Sequence, residues 1–291
     1  MKLNRLFRSL GMSKQSFHQR LDRELLVLEE SEQLLLLVSR IRVDHPRMSS
    51  RQMYRLINPA HLGRDRFEAF CFENGFKVPV KRSYRRTTNS LGVTRFENLI
   101  AGVELTDVNQ VWVSDITYYQ IDDRFYFLTF ILDLYSRVIV GHSVATDLST
   151  SSTTIPAMQI ALENRTLTAG LIFHSDGGGQ YYCKSWLVLT SAHSIRNSMC
   201  DSPYENAHAE RINGIIKNDY LSGYGPSTYQ ELITMTMKAV VKYNVEKPHG
   251  SLGQLSPYNF ERALRECGDV DNLKTSNPHS RHYNYNKEVY I

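Results

Sequence analysis

The sequence lacks any run of the roughly 18 apolar residues that would span a bilayer, which excludes the helical membrane classes. It also lacks a CxxC pair, an internal repeat and a low-complexity tract. Its four cysteines, Cys71, Cys183, Cys200 and Cys267, are too scattered for a zinc site or a disulfide framework, so they are expected to be free thiols. The opening MKLNRLFRSLGMSKQ is basic but has no continuous apolar segment or small-residue cleavage site. It is therefore not read as a signal peptide, and the expected location is the cytoplasm.

What is present is a chain of 291 residues, 42% hydrophobic and 22% charged, ordinary for a globular protein and long enough for two or more domains. The net charge of +4 hides an uneven distribution. Residues 1 to 95 hold 19 Lys or Arg against 9 Asp or Glu, a balance of +10, and the remainder carries −6. A basic arm ahead of an acidic body fits a phosphate-binding surface next to a site that recruits cations; a solvated charge run is the plainer alternative.

Leu3 to Leu21 is read as a helix, a tight turn and a second short helix, with Gly11 in the turn and Ser13 as the cap. Lys14, Gln15, Ser16 and His18 then stand where a recognition helix presents side chains. Residues 22 to 43 are expected to form a long amphipathic helix whose Leu25, Leu28, Leu35, Leu36 and Ile41 serve as core or as a pairing seam. Beyond His45-Pro46, Met48–Ile57 and Gly63–Phe70 predict a second helix pair, with Arg51, Arg55, Arg64 and Arg66 outward. The basic stretch containing Lys81, Arg82, Arg85 and Arg86 reads as a linker able to track phosphates.

From Asn109 the texture becomes apolar and β-branched. VWVSDITYYQ, Phe125–Asp133 and Arg137–Val144 predict three strands, Thr153–Asn164 a helix, LIFHSD a fourth strand, and Lys184 the start of another helix. Further helices are expected from near Tyr204 to about Lys217 and over Tyr229–Asn244. This order is that of an α/β core.

Asp115 lies inside the first predicted strand and Asp176 at the end of the fourth, in apolar runs where an unpaired carboxylate is costly to bury. Two such aspartates plus a helical Glu210 suit a pair of hard divalent cations, which can stabilise the entering and leaving oxygens of an in-line displacement at a phosphodiester. Asn206, Asn213 and Lys217 would share the face of Glu210 at helical spacing, with Lys217 holding a phosphate. Singly, each carboxylate has a plainer reading: Asp115 as a strand-edge residue bonded to Thr117, Asp176 as a turn residue before three glycines, Glu210 as a solvated helix charge. His174 and His208 are read as hydrogen-bonding or DNA-contacting residues rather than metal ligands, and Asp133 as a strand-end turn residue or a rival site carboxylate.

Five motifs in order carry a resemblance: VWVSDITYY, FLTFILDLYSRVIVGHSV, FHSDGGGQYY, SPYENAHAERINGIIKNDY and YNVEKPHGSLGQLSPYNF. With LNRLFRSLGMSKQSFHQR and ENGFKVPVKR, they make the chain resemble the integrase-like transposases of bacterial insertion sequences, specifically their second-frame catalytic product. The resemblance implies a ribonuclease H-like core, a mixed five-stranded sheet with flanking helices, preceded by small all-α helix-turn-helix modules. It implies that Asp115, Asp176 and Glu210 form a DDE triad using two Mg²⁺ or Mn²⁺ ions, with Lys217 as the family's basic residue. It also implies a polynucleotidyl transferase cleaving and joining DNA in transposition, with terminal inverted repeats and target DNA as partners, a dimer or larger assembly, and association with the nucleoid.

The expected division is 1–45 and 46–90 for the two helical modules, 105–265 for the catalytic core and 266–291 for a tail. Lys247, where the family commonly has arginine, and His249 are expected to meet DNA with Asn206 and Lys217. The Asp176–Glu210 spacing is about two residues short of the family's, a difference that falls in the loop around Cys200 and Asp201. A DNA-binding repressor with a silent core, or a junction resolvase or ribonuclease H, are the rival readings.

Overall fold

The computed structural model describes Phe7, Ser9 and residues 11–78, 96–167, 169–200 and 206–267. Lys81, Arg82, Arg85, Arg86 and Asp201, together with the first predicted helix apart from Phe7 and Ser9, lie outside the described residues.

Among the described residues from Lys14 to Glu73, the helices are α1 (Lys14–Asp44), α2 (Ser50–Ile57) and α3 (Arg64–Glu73). Ser13 caps α1 by accepting from Ser16 N at 3.0 Å, and Gly11 takes φ +66°, as the expected turn requires. The short recognition helix and the long helix after it are, however, one uninterrupted 31-residue helix. No glycine or proline lies between Lys14 and Asp44 to stop it. Its leucines do not form a core either: Leu25, Leu28, Leu35 and Leu36 are exposed, while Val38 alone is fully buried and Leu34 and Ile41 are half-buried. Val38 packs with Met48, Met53, Phe67 and Cys71 in one small cluster, so residues on both sides of the expected 45/46 boundary share a core.

The main body is a five-stranded sheet in the order β3-β2-β1-β4-β5. Its strands are β1 (Val111–Ile121), β2 (Arg124–Asp133), β3 (Ile139–Ala145), β4 (Ile172–Ser175) and β5 (Arg196–Met199). β1, β2 and β3 run antiparallel, and β4 and β5 join parallel through crossovers. α4 (Thr154–Asn164) precedes β4, and α5 (Lys184–Ala192) links β4 to β5. α6 (Ala207–Gly214) runs on through a π-helical stretch, Ile215–Leu221, and is followed by α7 (Tyr229–Glu246) and α8 (Pro257–Cys267).

Alternation along β1 separates two apolar layers. Val111 and Val113 face Ala209, Ile212, Tyr220 and Val240 of α6, the π stretch and α7. Trp112 faces the opposite layer, with Ala157, Met158, Phe173 and Trp186. Each large apolar side chain sealed in these layers contributes roughly 1.5–3 kcal/mol. α4 approaches β3 so closely that a Cβ on Gly141 would collide with the Ala157 carbonyl oxygen. This three-layer arrangement is the ribonuclease H-like fold. β5 and α8 have no counterpart among the elements read from the residues, for Arg196-Asn-Ser-Met shows neither alternation nor an apolar run.

The helical part docks on the main body through charge. Lys242 of α7 donates to Asp44 at 2.9 Å and to Glu246 at 2.7 Å, and buried His45 bridges Tyr220 (3.0 Å) and Glu246 (2.9 Å). α8 is held by Arg165, whose guanidinium makes two hydrogen bonds to Glu261 at 2.8 and 2.9 Å. Among the described residues no helix is long and apolar enough to cross a membrane.

Candidate active site

The parallel register of β1 and β4 pairs Ser114 with Ser175. Asp115 and Asp176 are the next residues along, so two carboxylates stand on neighbouring strands, Asp115 within β1 and Asp176 just past the end of β4. Adjacent strands stand about 4.8 Å apart, which sets the scale of that separation. Gly177 follows at φ +78°, where a Cβ would lie 2.5 Å from Met199 Cε, and Gly178 N donates to Asp176 Oδ1 at 3.1 Å. The glycines after Asp176 thus let the chain turn sharply beneath it.

α6 brings Glu210 and is fastened to β1 by side chains. Asn206 Nδ2 donates to the Ser114 carbonyl at 2.9 Å, Asn213 Nδ2 to Asp115 Oδ2 at 2.8 Å, and Lys217 Nζ to Thr117 Oγ1 at 3.1 Å. The expected face holds for Asn213 and Glu210, but its regular spacing does not extend to the ends. Asn206 is the N-cap rather than a helical residue, and Lys217 lies in the π stretch, where each turn takes up an extra residue. Lys217 also sits 4.7 Å from the centroid of the Tyr118 ring.

The electrostatics are those of uncompensated acids. Asp115 is raised to about 7, by burial first and then by the charges of Asp176 and Glu210, with the hydrogen bonds from Ile116 and Asn213 only partly opposing them. Glu210, although exposed overall, is raised by partial desolvation of its carboxyl and then by Asp176. Burial lowers Lys217, against the pull of Asp115. The three carboxylates therefore share one field. Among the described residues no group of three or more His, Cys, Asp or Glu stands at metal-ligand spacing, Asp115, Asp176 and Glu210 included.

Several expected residues fall elsewhere. Asn206 is buried against β1, which places it in the scaffold and not on a DNA-facing surface. Lys247 is also buried; its Nζ lies 3.3 Å from Asp219 Oδ2, so its charge is spent internally rather than on a phosphate. His249 packs edge-on against Tyr243 with centroids 5.1 Å apart, and burial followed by Lys247, Arg137 and Arg211 lowers it to about 3, leaving a neutral ring. Asp133 is sealed and accepts from Asn109 N, Tyr135 N, Ser136 N and Ser136 Oγ, which makes it the turn residue and not a rival ligand.

His174 meets Ser198 Oγ at 2.9 Å, and Arg137 Nη1 donates to His208 Nδ1 at 2.9 Å. Burial lowers His174 to about 4; burial, Arg137 and Arg211 lower His208 to about 3. Lys14, Gln15, Arg51, Arg55, Arg64 and Arg66 are all exposed. Three of these arginines are engaged: Arg51 with Glu68 at 3.0 Å, Arg55 with Gln254 at 2.5 Å and Arg64 with Asp65 at 2.8 Å. Residue patterns had not singled out Tyr181, buried beneath the aspartates with its hydroxyl 2.9 Å from Ser114 Oγ. Its only sequence signal is its place in the GGGQYY motif.

Family models described as integrase core domain match residues 106–204 and 193–257, which enclose all three carboxylates. A relative from Shigella sonnei, the insertion element IS600 uncharacterized 31 kDa protein, is 32% identical over 215 residues, covering 70% of this chain and 77% of its own. The chain belongs to the insertion-sequence transposases with an integrase-like core. Transposase InsF of insertion sequence IS3A from Escherichia coli is 31% identical over 157 residues, 53% of this chain and 54% of that one, so this family member spans about half the length of InsF. A solved structure of the HTLV-2 integrase catalytic core domain in complex with magnesium is similar at TM-score 0.41 and 22% identity, covering 52% of this chain and 94% of that one.

Proposed function

We propose that the chain cleaves and joins DNA at insertion-sequence ends, using a divalent-metal site held by Asp115, Asp176 and Glu210. The observation that carries this reading is the position of Asp115 beside two further acids: burial, Asp176 and Glu210 raise it to about 7, a state that bound cations relieve. All-oxygen donors of this kind fit Mg²⁺ or Mn²⁺. Two such ions, when bound, supply the charge that activates an attacking water or 3′-hydroxyl and offsets charge on the leaving oxygen.

The chain's own residues position. Asn213 fixes which oxygen of Asp115 faces inward, because its amide occupies Oδ2. Lys217, held by Thr117 and the Tyr118 ring, offers its remaining ammonium protons to a DNA phosphate beside Asp115. The exposed Lys14, Gln15 and Arg66, with Arg51, Arg55 and Arg64 exchanging their present partners for phosphate oxygens, supply the DNA-tracking surface of the helical part. The DNA partners are the terminal inverted repeats and the target, bridged by a dimer or larger assembly at the nucleoid.

Incubating purified protein with an insertion-sequence end duplex, target DNA and Mg²⁺ or Mn²⁺ tests this. Asp115→Asn, Asp176→Asn and Glu210→Gln should each lower strand transfer by more than about 10³-fold. Full activity in any one of them rejects the triad, and faster cleavage of an RNA/DNA hybrid or a four-way junction rejects the substrate.

A further inference from the structure

Arg137 occupies a conformation that its side chain does not favour. Its φ is +64°, in the left-handed region that glycine enters freely and an arginine enters only at an energetic cost. Such an outlier persists only when its surroundings fix it, and here they do. The sealed Asp133 carboxylate accepts from Asn109 N (2.6 Å), Ser136 N (2.8 Å), Tyr135 N (3.0 Å) and Ser136 Oγ (3.1 Å), and Arg137 N donates to the Asp133 carbonyl at 2.9 Å. The turn between β2 and β3 is thereby locked. A glycine would satisfy the backbone equally well, so the arginine is kept for its side chain.

That side chain is nearly buried and crosses to another element. Arg137 Nη1 donates to His208 Nδ1 at 2.9 Å. His208 is the second residue of α6, and Glu210 follows two positions later on the same turn. The first turn of α6 thus rests on Asn206 bonded to β1 and on His208 bonded to Arg137, whereas Glu210 itself is exposed and leans on its helix for orientation.

We propose that Arg137 is a positioning residue: the Asp133 turn, Arg137 and His208 form a relay that sets the angle of the first turn of α6 and so the placement of the Glu210 carboxylate. The relay accepts strain at the sheet end in return for a fixed helix start. This inference rests on the strand-transfer reading for its functional consequence, while its structural half stands apart from it.

The test compares Arg137→Gly with Arg137→Lys, and each with His208→Ala, in the full chain. Arg137→Gly removes the side chain but suits the backbone, so its thermal midpoint should equal or exceed wild type. Its strand-transfer rate should fall about 10- to 100-fold, as on loss of an outer support, with the KM for end DNA within about twofold. Arg137→Lys should recover part of the rate. The double variant Arg137→Gly/His208→Ala should lose no more than the worse single one, because the two act in series. Imidazole nitrogen NMR of metal-free protein supplies a readout independent of activity: His208 should carry its proton on Nε2 in wild type, and its Nδ1 resonance should shift in Arg137→Gly as the Arg137 donor is lost. A near-wild-type rate in Arg137→Gly, a loss of rate matched by a loss of stability, additive losses in the double variant, or an unchanged His208 Nδ1 resonance overturns the relay. Absence of strand transfer in wild type itself counts against the transposition reading instead, and the NMR comparison still decides the structural half.

Discussion

Among the described residues, two of the places where carboxylates approach one another treat them oppositely. Where α1 meets α7, burial tends to raise Asp44 and Glu246, but the ammonium groups of Lys242 and Lys238 for Asp44, and Lys242 with His45 for Glu246, outweigh it and hold both below their usual range. Where α6 meets β1, desolvation raises Asp115 and Glu210 and the neighbouring acids raise them further, while desolvation also lowers Lys217 against the pull of Asp115. The first is a finished joint. The second is left uncompensated by the protein alone, and the cation site proposed above rests on that difference.

The contrast breaks most severely if a finished pair is cut. Arg165 and Glu261 are both largely buried, with side chains 12% and 7% exposed. Arg165→Leu strands the carboxylate and should cost about 3–5 kcal/mol in denaturant unfolding. A loss below 1 kcal/mol would mean that α8 is not anchored by this pair.

The unfinished cluster predicts the opposite sign. Because the folded Asp115 titrates near 7 instead of its ordinary 3.8, the folded state holds the extra proton between those values. The stabilisation is fully present below about pH 4 and is lost as pH rises through about 7, so metal-free protein should weaken across that window. Asp115→Asn should flatten that part of the profile and raise the thermal midpoint at pH 8. An unchanged profile would show that the three charges do not interact as described.

The smallest effect concerns the exposed arm. Arg66→Gln should leave stability unchanged and lower the log–log salt slope of DNA binding by about 0.9, the release expected for one phosphate contact. A slope identical to wild type removes Arg66 from the DNA interface.

Much of the core was legible because β-branched runs and apolar alternation are strong signals. The first four strands and α4, α5 and α7 appear within a few residues of their expected places. The gathering of Asp115, Asp176 and Glu210 was readable only in combination, since each alone resembles an ordinary turn or surface acid. What stayed hidden depends on partners distant in sequence. Lys247 and Asn206 look like DNA contacts until Asp219 and the Ser114 carbonyl are seen to consume them. The π stretch that carries Lys217 past the regular helix spacing leaves no mark in composition. α1 ran on as a single helix because nothing in its 31 residues breaks it, and its leucines lie mostly in solvent despite their apolar pattern.

The central claim is that the three carboxylates form one cation site, and isothermal titration of Mn²⁺ into DNA-free protein at pH 7 in buffers of different ionisation heat tests it most directly. Wild type should bind Mn²⁺ with net proton release, since Asp115 must give up its proton to become a ligand, and Asp115→Asn should lose both the binding and the release. Equal Mn²⁺ binding by wild type and Asp115→Asn, or none by wild type, would contradict the account.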